Sequence, residues 1–108
     1  MLDIKELINR TKNLHLLYAE DEDHLRDETE HFLKRFFPLM HTCSNGKEAW
    51  DELQKNSFDI VITDLKMPVM DGIELINKIR NDYPKIITIA LSGISDMDEK
   101  ELVVDYRL

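Results

Sequence analysis

Two acidic groups, far apart in the chain, carry most of the chemistry the sequence offers. Glu20, Asp21 and Glu22 follow the mostly apolar run at residues 14–19, and Asp64 closes the β-branched run at 58–63. Brought to one rim, carboxylates repel one another and call for a cation, and hard oxygen ligands favour Mg²⁺ over softer metals. Two carboxylates with water make a typical Mg²⁺ site, one that expects a phosphate as a further ligand. A carboxylate can also accept a phosphoryl group itself, as an acyl phosphate. Ser92, after the apolar run at 86–91, brings a hydroxyl that could hydrogen-bond a phosphoryl oxygen. Taken singly, each has an ordinary explanation. An Asp after a strand commonly turns or caps the chain, residues 20–23 suit the acidic first turn of a helix, and Ser92-Gly93 is common in loops.

The elements that would position these residues are legible from periodicity. Leu2, Ile4, Leu7 and Ile8 mark a short amphipathic helix over residues 2–9. Leu25, Phe32, Leu33 and Phe36 share one helical face between Asp23 and Phe37, ended by Pro38. Residues 39–43 suit a short strand. Asn45 with Glu48 three positions on reads as a helix cap, followed by the stripe Ala49, Trp50 and Leu53. Asp71 and Glu74 repeat that signature before Ile73, Ile76 and Ile79, which are expected to face inward, and Pro84 closes the segment. Residues 95–108 open with Ser-x-x-Asp and read as a helix through Leu102, Val103 and Tyr106.

The expected order is one helix, then strand and helix four times over. Strands that are nearly continuously apolar and alternate with helices indicate a parallel sheet covered on both faces. The expected fold is doubly wound α/β, in which ligands sit beyond the carboxyl ends of the strands. The strands at 14–19 and 58–63 are expected to be neighbours, so Glu20, Asp21 and Asp64 would meet.

Composition narrows the function. The chain has 108 residues, 43% hydrophobic and 33% charged, which suits one small globular domain. A net charge of −8 opposes direct binding to nucleic acid or anionic lipid. A divalent cation or a basic protein surface fits it better. Cys43 is the sole cysteine, so neither an internal disulfide nor a Cys-based zinc site can form. No run resembles a signal peptide or a membrane span, and the expected location is cytoplasmic. His15, His24, His31 and His41 show no tight ligand spacing.

The stretch from Asp59 through Asp64, Met67, Pro68, Met70 and Asp71 to Gly72 closely resembles the phosphoacceptor segment of response-regulator receiver domains of two-component signalling. In that family the Asp ending the third strand is followed at +4 by Pro and at +8 by Gly, within an M-P-x-M-D-G string. Residues 16–22 (LLYAEDE) are similar to the family's first strand and acidic pair, and Leu91-Ser92-Gly93 to its strand-four switch position. The resemblance covers about residues 14–108, with 1–13 an N-terminal helical extension, and implies the flavodoxin-like form of the doubly wound sheet.

The resemblance implies that Asp64 accepts a phosphoryl group from a sensor histidine kinase or phosphotransfer protein. It implies Mg²⁺ held by Asp21, Asp64 and the Lys66 backbone carbonyl, with Glu20 acting mainly through water. Ser92 would move toward the phosphoryl group and switch a surface read by a downstream effector. Such a domain is a signalling module, not an enzyme. The family's fifth strand, ending in a Lys that pairs with the phosphoryl group, and its fifth helix fall past Leu108 by ungapped count. The expected sheet order is therefore 2-1-3-4, incomplete at the C-terminus, with an exposed edge open to dimerisation or domain swapping. The extension at 2–9 could cover part of the exposed apolar surface. A second alignment makes residues 102–106 a shortened fifth strand with Tyr106 as the family's aromatic switch residue. Both alignments lack the Lys, which leaves an alternative: a receiver-like interaction module that is not phosphorylated.

Other classes fit less well. A haloacid-dehalogenase type of enzyme needs a second Asp two residues after its nucleophile, where this chain has Lys66. A flavodoxin-like cofactor binder needs a Ser/Thr/Gly-rich phosphate loop in place of Glu20-Asp21-Glu22.

Overall fold

Four segments pair side by side as parallel strands: β1 (Leu16–Ala19), β2 (Met40–Cys43), β3 (Ile60–Asp64) and β4 (Ile87–Ile94). The computed structural model describes the backbone of residues 3–94 and 99–105 and the side chains of residues 3–91. β1 lies at the centre and is buried at all of its positions, which explains why its run carries no alternating polar residue. The order of the parallel strands is 2-1-3-4, as expected.

Helices α1 (Ile4–Thr11), α2 (Asp23–Leu33), α3 (Gly46–Lys55) and α4 (Gly72–Asp82) supply the rest of the described framework. Three of them start at a side-chain cap, and for two, Asn45 and Asp71, the sequence predicts it. Asp3, Asn45 and Asp71 each accept a hydrogen bond from the backbone N–H three residues on, at 2.8 Å. The acid at the third helical position behaves differently from a reciprocal capping box in α3. Glu48 Oε1 takes the N–H and hydroxyl of Ser44, both at 2.7 Å, one residue before the cap. On one sheet face Leu17, Ala19 and Val61 pack with Ala49 and Leu53 of α3 and Leu75 and Ile79 of α4. On the other, Leu16, Tyr18 and Ile62 pack with Leu33 and Phe37.

Some details depart from expectation. Residues 99–105 are a fifth strand, β5 (Glu99–Asp105), antiparallel to β4, where periodicity indicated a helix. The β4 edge is thus paired from Thr88 to Ile94, and among the described residues the last strand on that side of the sheet is β5. The physical reason lies in Leu102-Val103-Val104: a short apolar run with two β-branched residues satisfies either period. Pairing with β4 satisfies backbone groups that an edge would expose. This agrees with the shortened-strand alignment in placing a strand here, while Tyr106 lies outside the described residues. The cap at 95–98 and Leu2 lie outside them too. Ile73 points to solvent instead of inward, because α4 buries Leu75, Ile76 and Ile79, a face rotated away from it. Phe32 is exposed on α2 for the same kind of reason. Ile4 and Leu7 of α1 also remain exposed, so this helix does not cover the sheet with its apolar stripe. It is tied down at its end, where the buried Thr11 hydroxyl donates to the Phe36 carbonyl.

Candidate functional site

Strand register decides what meets at the rim. Ala19 stands opposite Thr63, so Glu20, one residue beyond β1, is level with Asp64 at the end of β3. The carboxylates of Glu20, Asp21 and Asp64 each place an oxygen within 4.8 Å of the other two. Glu20 is 1% exposed, Asp64 is partly buried and Asp21 is exposed. Two unit charges at 4.8 Å repel by about 3 kcal/mol at an effective dielectric of ~20. The three residues fit a hard divalent cation: all donors are oxygens, and each contributes negative charge where it is otherwise unfavourable.

The backbone fixes each acid. Glu20 N–H donates to the Cys43 carbonyl at 3.0 Å, which extends the β1–β2 pairing one step past the strand. Glu20 Oε2 accepts from Glu22 N–H at 3.2 Å, and Glu20 O accepts from Arg26 Nη1 at 2.9 Å. Asp64 Oδ1 accepts from Leu65 N–H at 2.9 Å, which orients the carboxylate plane. The loop from Leu65 to Asp71 is clamped by two helix starts. Gly72 N–H donates to Leu65 O at 2.9 Å, and Gly46 N–H to Met70 O at 3.0 Å. Neither glycine has space for a Cβ: at Gly46 it would strike the Met70 carbonyl, and at Gly72 the Asp64 carbonyl. Met70 is buried beneath this clamp. Val69 takes φ 70, the left-handed region that β-branched residues avoid, and is 78% exposed.

Tyr18 lies in β1 below the acids. Burial pushes its phenol up to about 12; the Thr29 hydroxyl opposes this, and the Glu20 and Asp64 carboxylates add to it. Glu48 is held below the usual carboxylate range, chiefly by the Ser44 N–H.

Of the residues singled out from sequence, Glu20, Asp21 and Asp64 are brought together. Lys66 lies two residues past Asp64 in the clamped loop with its side chain exposed. Ser92 follows Leu91, the β4 partner of Asp64, so its backbone reaches the same rim; its side chain lies outside the described residues. Glu22 caps α2 without a side-chain hydrogen bond. Sequence reasoning passed over Arg26, although a cation just after three acids is a readable signal. No helix among the described residues is long and apolar enough to cross a membrane.

Comparison with known proteins bears on the family and the fold. The family model for the response regulator receiver domain matches residues 16–107. Regulatory protein VanRB of Enterococcus faecalis is 33% identical over 82 residues, which are 74% of this chain and 37% of VanRB. Transcriptional regulatory protein SrrA of Staphylococcus aureus is 35% identical over 79 residues, 72% of this chain and 33% of SrrA. The chain thus spans roughly a third of the length of these relatives. Among solved structures, the chemotaxis response regulator CheY4 of Vibrio cholerae aligns with TM-score 0.66 and 29% identity, covering 71% of this chain and 66% of that one. Response regulator TrrA of Thermotoga maritima, solved in complex with Mg²⁺-BeF, aligns with TM-score 0.69 and 27% identity, covering 79% and 77%.

Proposed function

Because the chain belongs to the response regulator receiver domain family, a family of signalling modules, we propose that Asp64 is its phosphoacceptor. The observation that carries this reading is the meeting of three carboxylates, within 4.8 Å, at the ends of two neighbouring parallel strands and beside a loop clamped at Gly46 and Gly72. An oxygen of Asp64 attacks the phosphorus of a phosphohistidine on a sensor kinase or phosphotransfer protein. The phosphorus–nitrogen bond breaks, its electron pair stays on the imidazole, and an acyl phosphate forms on Asp64.

Glu20, Asp21, Asp64 and the Lys66 carbonyl would hold Mg²⁺, with Glu20 acting mainly through water. When bound, the ion supplies charge neutralisation for a loose, largely dissociative transfer. The protein contributes position. The Leu65 N–H sets the plane of the accepting carboxylate, and the clamp prevents the loop from retreating. The Ser92 hydroxyl would bond a phosphoryl oxygen and draw the end of β4 toward Asp64. That contact biases an existing pair of conformations, and a downstream effector protein or domain reads the change.

Intact mass after incubation with Mg²⁺ and a small phosphodonor tests the reading. Wild type gains one phosphoryl group and Asp64→Asn gains none. An unmodified wild type would instead support a receiver-like interaction module that works without phosphorylation.

A further inference from the structure

The turn that presents Glu20 and Asp21 is braced by a residue outside the acidic cluster. Helix α2 starts without the side-chain cap that α1, α3 and α4 all have. In its place Arg26, in the opening turn, folds back over the helix start. Its Nη1 donates to Glu20 O at 2.9 Å and its Nη2 to Asp23 Oδ1 at 2.6 Å. The Arg26 side chain is only 18% exposed. A cation at this end of a helix stands against the macrodipole. Its burial there therefore has a local cause, and the two-pronged fork, which a lysine cannot reproduce, supplies one.

Opposite constraints close the grip. The Glu20 peptide is held through its N–H by Cys43 on β2 and through its carbonyl by Arg26 on α2. Glu20 Oε2 then turns back to the Glu22 N–H, so the direction of the carboxylate follows from the turn.

We propose that Arg26 is a positioning residue for the acidic centre: its fork fixes the turn so that Glu20 and Asp21 face Asp64 and can share one cation. The Mg²⁺ part of this inference rests on the phosphoacceptor reading. Two effects of Arg26 have opposite signs and can be separated. As a brace it strengthens cation binding; as a nearby positive charge it weakens it.

The experiment uses the full chain as wild type, Arg26→Gln and Arg26→Lys, with Mg²⁺ titrated and backbone amide shifts followed by NMR. Arg26→Gln is expected to weaken Mg²⁺ about 10-fold, the scale found for outer-shell partners of metal ligands. Arg26→Lys should recover part of the loss. Phosphorylation at saturating Mg²⁺ should stay within a few fold of wild type, which a global structural defect would not produce. Tighter Mg²⁺ binding by Arg26→Gln would overturn the proposal by showing a competing charge. Unchanged binding with lowered thermal stability would overturn it by showing a merely structural role. Hydrogen exchange provides an arm independent of the metal. The Glu22 amide should exchange faster in Arg26→Gln, by up to about 10-fold, as one broken hydrogen bond allows, while Leu17 and Val61 keep their protection. If wild type binds no Mg²⁺, the phosphoacceptor reading falls. The exchange arm then still decides the brace, and an unchanged Glu22 amide would end it.

Discussion

Gly72 can carry no side chain because the carbonyl oxygen of Asp64 occupies the place its Cβ would take. The first residue of α4 and the last of β3 are therefore in backbone contact, joined further by the Gly72 N–H to Leu65 O bond at 2.9 Å. Replacing Gly72 with Ala must separate them. Gly72→Ala is expected to destabilise the fold by about 2–3 kcal/mol, in the range for overpacking of a site that cannot give. Equilibrium urea denaturation measures this. An unchanged midpoint would mean that the loop relaxes at little cost.

Val69 tests the same loop from the opposite direction. A left-handed backbone costs an L-residue about 1–2 kcal/mol, and Val69 has φ 70 while burying almost nothing. Glycine removes that strain and returns about 0.5–1 kcal/mol through greater freedom of the unfolded chain. Val69→Gly should therefore raise stability by roughly 0.5–1 kcal/mol. A lowered midpoint in the same urea assay would contradict it.

Alkaline stability follows from two buried acids. Burial pushes Tyr18 up to about 12, and burial with help from Glu48 and Glu52 pushes Cys43 up to about 12. Each is neutral when protonated, and its folded value lies above its unfolded one. Its contribution is thus fully present below the unfolded value, about 8.5 for Cys and 10 for Tyr, and is lost as pH rises through the folded value. Unfolding free energy should fall from about pH 9 upward, with Tyr18 accounting for about 2–3 kcal/mol by the time pH passes ~12. Tyr18→Phe should flatten the profile above about pH 10. A wild-type profile that stays level from about pH 9 to ~12 would refute the assignment.

Glu48 gives the acid limb. Its folded value is depressed, first by the Ser44 N–H and then by the Ser44 hydroxyl. The stabilisation is present above the unfolded value of about 4.3 and is lost as pH falls through the folded one. Ser44→Ala removes the hydroxyl bond and keeps the backbone one, so it should lessen the difference in urea midpoint between neutral and mildly acidic solution. Identical differences in the two proteins would assign the effect elsewhere.

Local rules made much of this legible. Asn45 and Asp71 announce α3 and α4 because an N-cap is decided within four residues, and the acids appear where apolar runs stop. That Glu20 and Asp64 meet follows from one further rule, the pairing of parallel strands around a doubly wound sheet. Other features depend on distant partners. Residues 99–105 satisfy either period, and the free edge of β4 makes the choice. Whether Ile73 or Leu75 of α4 turns inward depends on the angle at which the helix meets β3, which no local pattern encodes. The strain at Val69 and the reach of Arg26 become visible only once the loop and the turn have shapes.

The central claim is that the phosphoryl group rests on Asp64. Borohydride reduces an acyl phosphate to the alcohol and leaves a free carboxylate untouched, so treating the phosphodonor-exposed protein and mapping its peptides reads the acceptor directly. The account predicts a reduced side chain at Asp64, dependent on Mg²⁺ and strongly diminished in Asp21→Asn. Reduction at another residue, or none at all in wild type with Mg²⁺ and donor present, would contradict it.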